Sequence, residues 1–109
     1  PLVSHIYELG LVEAISIPQT ECFEGALQFA RSEGIVPAPE PTHAIAAAVR
    51  EAMACKESGE EKVILTALCG HGHLDLAAYE TFLSGQMVDL DLPDSAIQEA
   101  MGNIPKIAG

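Results

Sequence analysis

VILTALCGHGHLD, residues 63–75, is the stretch on which the fold turns. Val63 to Leu68 is an unbroken apolar run, β-branched at its start, the pattern of an interior parallel strand covered on both faces. It leads straight into the turn Cys69 to Asp75, then into Leu74 to Leu83, helical by spacing, with Asp75 near its first turn and Gly85 after it. Strand, glycine turn and helix in that order predict an α/β layer. In open α/β sheets, ligands collect beyond the carboxyl ends of strands, where the following helix presents unpaired N–H groups. The turn is therefore a candidate site, and Gly70 and Gly72 would let backbone approach a ligand closely. A tight turn whose glycines serve geometry alone is the plainer reading. A metal site is a third, since Cys69, His71, His73 and Asp75 are all competent ligands. Alternate residues on a short loop rarely close a tetrahedron, however, and only His43 or His5 could help.

Upstream, Val12 to Ile17 alternates weakly, is rich in aliphatics and stops at Pro18, which predicts a short strand closed by a turn. Thr20 stands where a helix N-cap belongs, with Glu21 favourably placed at the positive helix end. At helical spacing Cys22, Phe23, Ala26, Leu27, Phe29 and Ala30 share an arc of about 160°, with Glu21, Glu24, Gln28, Arg31 and Ser32 opposite. This is a surface helix with one buried face, stopped by Gly34. The segment IVPAPEP, 35–41, carries three prolines and reads as an extended connection no helix crosses. Glu40 sits in it between prolines, held in register either for a function or by proline punctuation alone. A second helix is predicted from near Thr42 to about Glu57, alanine on almost every side and more buried than the first, with Gly59 beyond its end. His43 falls in its first turn as a partly buried packing residue, and Cys22 and Cys55 read as core.

The tail from Gly85 turns acidic and proline-rich, with one short helix predicted from about Ser95 to Met101. Ser95 and Gln98 form a capping-box pair and Gly102 a stop. There is no repeat and no linker able to divide domains, so residues 1–109 read as one segment, with 86–109 its acidic tail.

Sixteen acidic against five basic residues leave a net charge of -11, a field that repels nucleic acid and anionic membrane surfaces. No apolar run approaches the roughly 20 residues that span a bilayer, and the first residues given hold no basic segment followed by an apolar one. Three scattered cysteines, Cys22, Cys55 and Cys69, support no disulfide framework, which fits a reducing cytoplasm. Lys56, Lys62 and Lys106 lie neither beside a phosphate loop nor in an apolar setting, so none reads as a nucleophile. The chain opens at Pro1 without a capping or turn signal, as a piece of a longer protein would.

EGIVPAPEPTHA, 33–44, and LCGHGHLD, 68–75, in this order and at this separation, resemble the closing third of a tryptophan synthase beta chain. HIYELGLVEAISI, 5–17, and AYETFLSG, 78–85, resemble the second, longer subgroup of those chains, the beta-like pyridoxal phosphate enzymes. The resemblance implies fold type II architecture: two three-layer α/β domains with the cofactor between them, this chain contributing part of one parallel sheet. It also implies site residues. Cys69 matches a serine that hydrogen-bonds the pyridine nitrogen, and a thiol is the weaker partner there. Glu40 matches a glutamate beside the cofactor ring, and Gly70 lines the same pocket. H-G-H replaces an arginine- and aspartate-containing turn, leaving the roles of His71 and His73 open.

The resemblance also says what lies N-terminal to Pro1: the Schiff-base lysine, the phosphate-cradling loop and the glutamate that steers indole addition. Without the lysine the cofactor has no covalent anchor, so the chain alone is expected to be inactive and to retain little pyridoxal phosphate. The parent reaction would be β-replacement, L-serine and indole giving L-tryptophan and water. Expected partners are the N-terminal remainder of the chain and a second copy, with an alpha chain as a further candidate. Two other readings stand beside this one: a self-standing α/β binding or regulatory module, and a metal-binding protein built on Cys69, His71 and His73.

Overall fold

The computed structural model describes residues 2–90 and 93–102. Among them are five α-helices: α1 (Leu2–Glu8), α2 (Gln19–Glu33), α3 (Pro39–Ser58), α4 (Leu76–Leu83) and α5 (Asp94–Gly102), with a 3-10 turn at Gly72–Leu74. The first is a surprise at seven residues, too short to hold itself in water, and it buries none of its side chains.

Helix α2 begins earlier than its sequence signal. Pro18 occupies the cap position and its carbonyl accepts from Cys22 N at 3.1 Å. Thr20 thus lies inside the first turn and is not the N-cap, and its hydrogen-bonding groups turn outward to Asp89 instead. The apolar arc is as expected: Cys22, Phe23 and Ala26 are buried, and Leu27, Phe29 and Ala30 half-buried. The αL residue Gly34 closes the helix with its N–H on Ala30 O.

Helix α3 begins at Pro39, inside the proline-rich connection. A proline in the first turn lacks only an N–H that would have no helical partner anyway, so Pro39 and Pro41 start the helix and do not hold it off. Glu40 consequently stands on the first helical turn, exposed, and not on an extended connector. Thr42, fully buried, donates its hydroxyl to Pro39 O at 2.5 Å. Burial in α3 ends early: Pro41, Thr42, Ile45 and Ala46 are covered, whereas Arg50 to Ser58 are exposed except for a half-buried Cys55. The expectation that α3 is the more buried helix, and Cys55 core, fails because the described residues leave its second half largely bare beyond Arg50, which pairs with Glu21.

α2 and α3 form the main packing unit. Gly25 lies over the Ala46 backbone, where an added Cβ would come to 3.5 Å, so small residues let the helices approach closely. One cluster joins Ile17, Cys22 and Ala46; another joins Phe23, Ala26 and Tyr79, with Phe82 and Met87 packed against it. At the helix edge Arg50 grips Glu21 through Nε and Nη2, both at 2.5 Å. That fork holds the Glu21 carboxyl below the usual carboxylate range, and Thr20 does the same for Asp89. Both groups therefore contribute stability above their ordinary carboxylate values, and lose it as pH falls through their depressed ones. Denaturant midpoints should fall on acidification below about pH 4, and Arg50→Ala should flatten that fall; an unchanged acid limb in Arg50→Ala would show the ion pair to be idle.

Neither predicted strand is formed among the described residues. Residues 12–17 are irregular, and 63–68 has no regular secondary structure and no ladder on either side. A strand is defined by its neighbours, and here none is present. Val63 is 98% and Leu65 95% exposed, the reverse of an interior strand. One side of 64–67 lies along Ala44, Ala47 and Ala48 of α3, across a shallow groove of about 310 Å³. The accessible surface is 8736 Å², against about 5,800 Å² for a globular chain of this mass. The radius of gyration is 17.3 Å, against about 13 Å for a packed one. No helix among the described residues is long and apolar enough to cross a membrane.

Candidate functional site

The glycine turn and the proline segment meet. Ala38 N–H donates to Gly70 O at 3.0 Å, Gly72 N–H donates to Val36 O at 2.8 Å, and Pro37 faces His71 in an antiparallel bridge. These two bonds clamp residues 36–38 to 70–72, two residues before Glu40 and one after Cys69. Sequence spacing alone could not show this, since the two motifs lie some thirty residues apart.

The clamp closes on glycine for a steric reason. A Cβ at Gly72 would lie 2.4 Å from Pro37 O and 3.0 Å from Val36 Cγ1, and one at Gly70 would lie 3.1 Å from Ala38 Cβ. From the far side Tyr79 of α4 donates its hydroxyl to Pro37 O at 2.6 Å. Burial pushes the Tyr79 phenol up, so it stays a donor across the neutral range. Its ring meets Phe23 edge-on at 5.0 Å, and Phe23 stacks with Phe82 at 5.7 Å, fastening α4 to α2. Tyr79→Phe should lower unfolding free energy by about 1–3 kcal/mol, the penalty of a buried carbonyl left without its donor. An unfolding midpoint unchanged by the substitution would mean that water takes the donor's place.

Of the three site residues expected from sequence, Glu40 and Cys69 are exposed and Gly70 half-buried, all bordering the clamp. His71 and His73 are exposed, their rings 4.7 Å apart, with His73 N–H donating to His71 Nδ1 at 3.3 Å. No group of three or more His, Cys, Asp or Glu side chains placed to hold a metal ion occurs among the described residues. His43 is exposed, not packed inside, and its Nδ1 lies 3.2 Å from Cys22 Sγ. Burial pushes the Cys22 thiol up, so this contact is a thiol beside an imidazole and not a primed nucleophile. Asp89 is the residue that sequence reading missed. It caps α2 from 69 positions away, and no local pattern marks it.

Comparison with known proteins falls on one class, synthase subunits. A beta chain 2 from Aquifex aeolicus (strain VF5) is 58% identical over 89 residues, covering 82% of this chain and 20% of that protein. One from Methanosarcina acetivorans is 52% identical over 88 residues, 81% and 20%, and one from Methanosarcina mazei 54% over 87, 80% and 20%. The chain belongs to the tryptophan synthase beta-chain family. It spans about a fifth of the length of the curated relatives it matches. No family profile matches it.

Proposed function

We propose that the chain is the C-terminal segment of a fold type II pyridoxal phosphate lyase of the tryptophan synthase beta type, forming one wall of its cofactor pocket. The observation that carries this reading is the clamp, which brings the start of α3, with Glu40, beside the Cys69–Gly70 turn. The donor set suits the group. Cys69 offers an exposed thiol to a pyridine nitrogen, Glu40 an exposed carboxylate beside the ring, and Gly70 a backbone with no side chain in the way. Pyridoxal phosphate, when bound, supplies an electron sink for bond breaking at the α-carbon of an amino acid.

In this reading residues 1–109 form a single segment, with 86–109 an acidic tail. Val63 to Leu68 takes its place in a parallel sheet whose other strands come from the rest of the polypeptide, and that polypeptide covers the apolar surface left bare here. Partners are the N-terminal remainder, a second copy and an alpha chain, in the cytoplasm, with no role for nucleic acid or membrane. The reaction is β-replacement, L-serine and indole to L-tryptophan and water. In this reading the Schiff-base lysine and the phosphate loop belong to the N-terminal remainder, so the 109 residues alone carry out none of it.

Substituting this sequence for the matching segment of the Aquifex aeolicus chain tests the function. Tryptophan formation from indole and L-serine is expected, and a folded but inactive chimaera would overturn the reading. The wall is tested separately, by titrating the isotopically labelled 109-residue chain with pyridoxal phosphate. Resonance shifts should centre on Glu40, Cys69 and Gly70, and shifts confined to Lys56 and Lys62 would remove the assignment.

A further inference from the structure

We propose that residues 88–90 form a detachable strap, fastened by the Asp89 carboxylate to the first turn of α2 and closing a pocket whose opposite wall carries His43. Asp89 Oδ1 accepts from Thr20 N at 3.0 Å, Oδ2 accepts from the Thr20 hydroxyl, and Val88 O accepts from Gln19 Nε2 at 2.7 Å. The pocket measures about 470 Å³ and is lined by Ser16 to Gln19, His43, Asp89 and Leu90. Its floor is Ile17, which with Ala46 covers Cys22.

The strap differs from the rest of the fold in what holds it. The clamp at 36–38 is backed by a buried aromatic cluster, whereas beyond Met87 the strap rests on polar contacts at an exposed helix end. A carboxylate in the first turn takes up the Thr20 N–H, one of the backbone donors an α-helix leaves open, and satisfies the positive end of its dipole. Remove that carboxylate and little apolar contact remains to keep Val88 to Leu90 in place. The charged and titratable groups around Asp89 are Glu21, itself held by Arg50, and Cys22 and His43 beneath. Glu21 repels Asp89, so the fastening depends on the Thr20 bonds. Thr20 holds the Asp89 carboxyl below its ordinary range, so the strap is closed at neutral pH. Closure persists above the ordinary carboxylate value and is lost as pH falls through the depressed one.

The experiment uses the isotopically labelled 109-residue chain. Asp89→Ala should raise exchange of the Thr20 amide about tenfold and bring the Val88 and Leu90 backbone resonances to random-coil positions. Exchange at Ala26 to Gln28, in the middle of α2, should stay as it was. Unchanged Thr20 exchange, or Val88 and Leu90 resonances that keep their positions, would overturn the strap. So would a uniform rise across α2 and α3, which would make Asp89 a support of the whole fold. Thr20→Ser keeps both donors and should stay closed; opening like that of Asp89→Ala would also overturn it.

Discussion

Replacing Gly72 by alanine is expected to force the 36–38 and 70–72 segments apart and to lower unfolding free energy by about 3 kcal/mol or more, toward the upper end for overpacked sites. The added carbon would sit 2.4 Å from Pro37 O and 3.1 Å from the Pro37 carbonyl carbon. Both atoms are backbone, so no rotamer change relieves the clash and the ladder itself must move. Pro37 O is also the acceptor of the Tyr79 hydroxyl, which a displaced carbonyl abandons. The two losses are therefore one event. Gly72→Ala combined with Tyr79→Phe should cost distinctly less than the sum of the single changes. Gly70→Ala meets only the Ala38 methyl, at 3.1 Å, which can yield by a few tenths of an ångström, and should cost far less. Denaturant unfolding of the four variants reads all of this. Equal costs at Gly70 and Gly72, or full additivity with Tyr79→Phe, would remove the clamp from the centre of the site.

The helices were legible wherever the pattern was local. The buried arc of α2, its stop at Gly34 and the stop of α3 at Gly59 follow from periodicity and from a glycine placed to take the αL conformation. Starts were less legible, because a helix start can be capped by groups that are not neighbours in sequence. Thr20 has the composition of an N-cap, yet Pro18 holds that position and Asp89 supplies the acceptors from the tail. Pro39 and Pro41 were misleading in the opposite sense, since the residue type that ends helices also begins them.

The strand is the instructive case. Val63 to Leu68 carries the composition of a residue run buried on both faces, and that composition is a statement about surroundings. Among the described residues no neighbouring strand covers them, so the same residues stand exposed and without a ladder. The site was legible as two motifs and not as one place. Nothing in P-A-P-E or C-G-H-G-H says that Ala38 and Gly72 share a ladder, because that pairing is a long-range consequence of α2 and α4 closing over Phe23.

Phe23→Ala should accordingly be the most damaging side-chain truncation outside the clamp, at roughly 3–5 kcal/mol for a buried aromatic ring. Phe23 is 4% exposed, and its ring meets both Tyr79, edge-on, and Phe82, stacked. Each such pairing adds about 0.5–1.5 kcal/mol to the burial of the ring itself. A domain of this size seldom holds more than about 5–15 kcal/mol in all, and one with this much uncovered surface sits at or below the lower end. The loss is thus comparable with everything that keeps α4 on α2. Tyr79 would then lose its ring partner while keeping its hydroxyl bond, so the clamp should loosen before α2 and α3 part. Those two helices are joined independently through Gly25, Ala46 and the Arg50–Glu21 fork. Amide exchange by residue distinguishes the sequence of events: Gly72 and Ala38 should become unprotected in Phe23→Ala while Ala46 stays protected. Loss of protection at Ala46 to the same extent would show a single cooperative core, and the clamp would then be part of it and not a separately hinged wall.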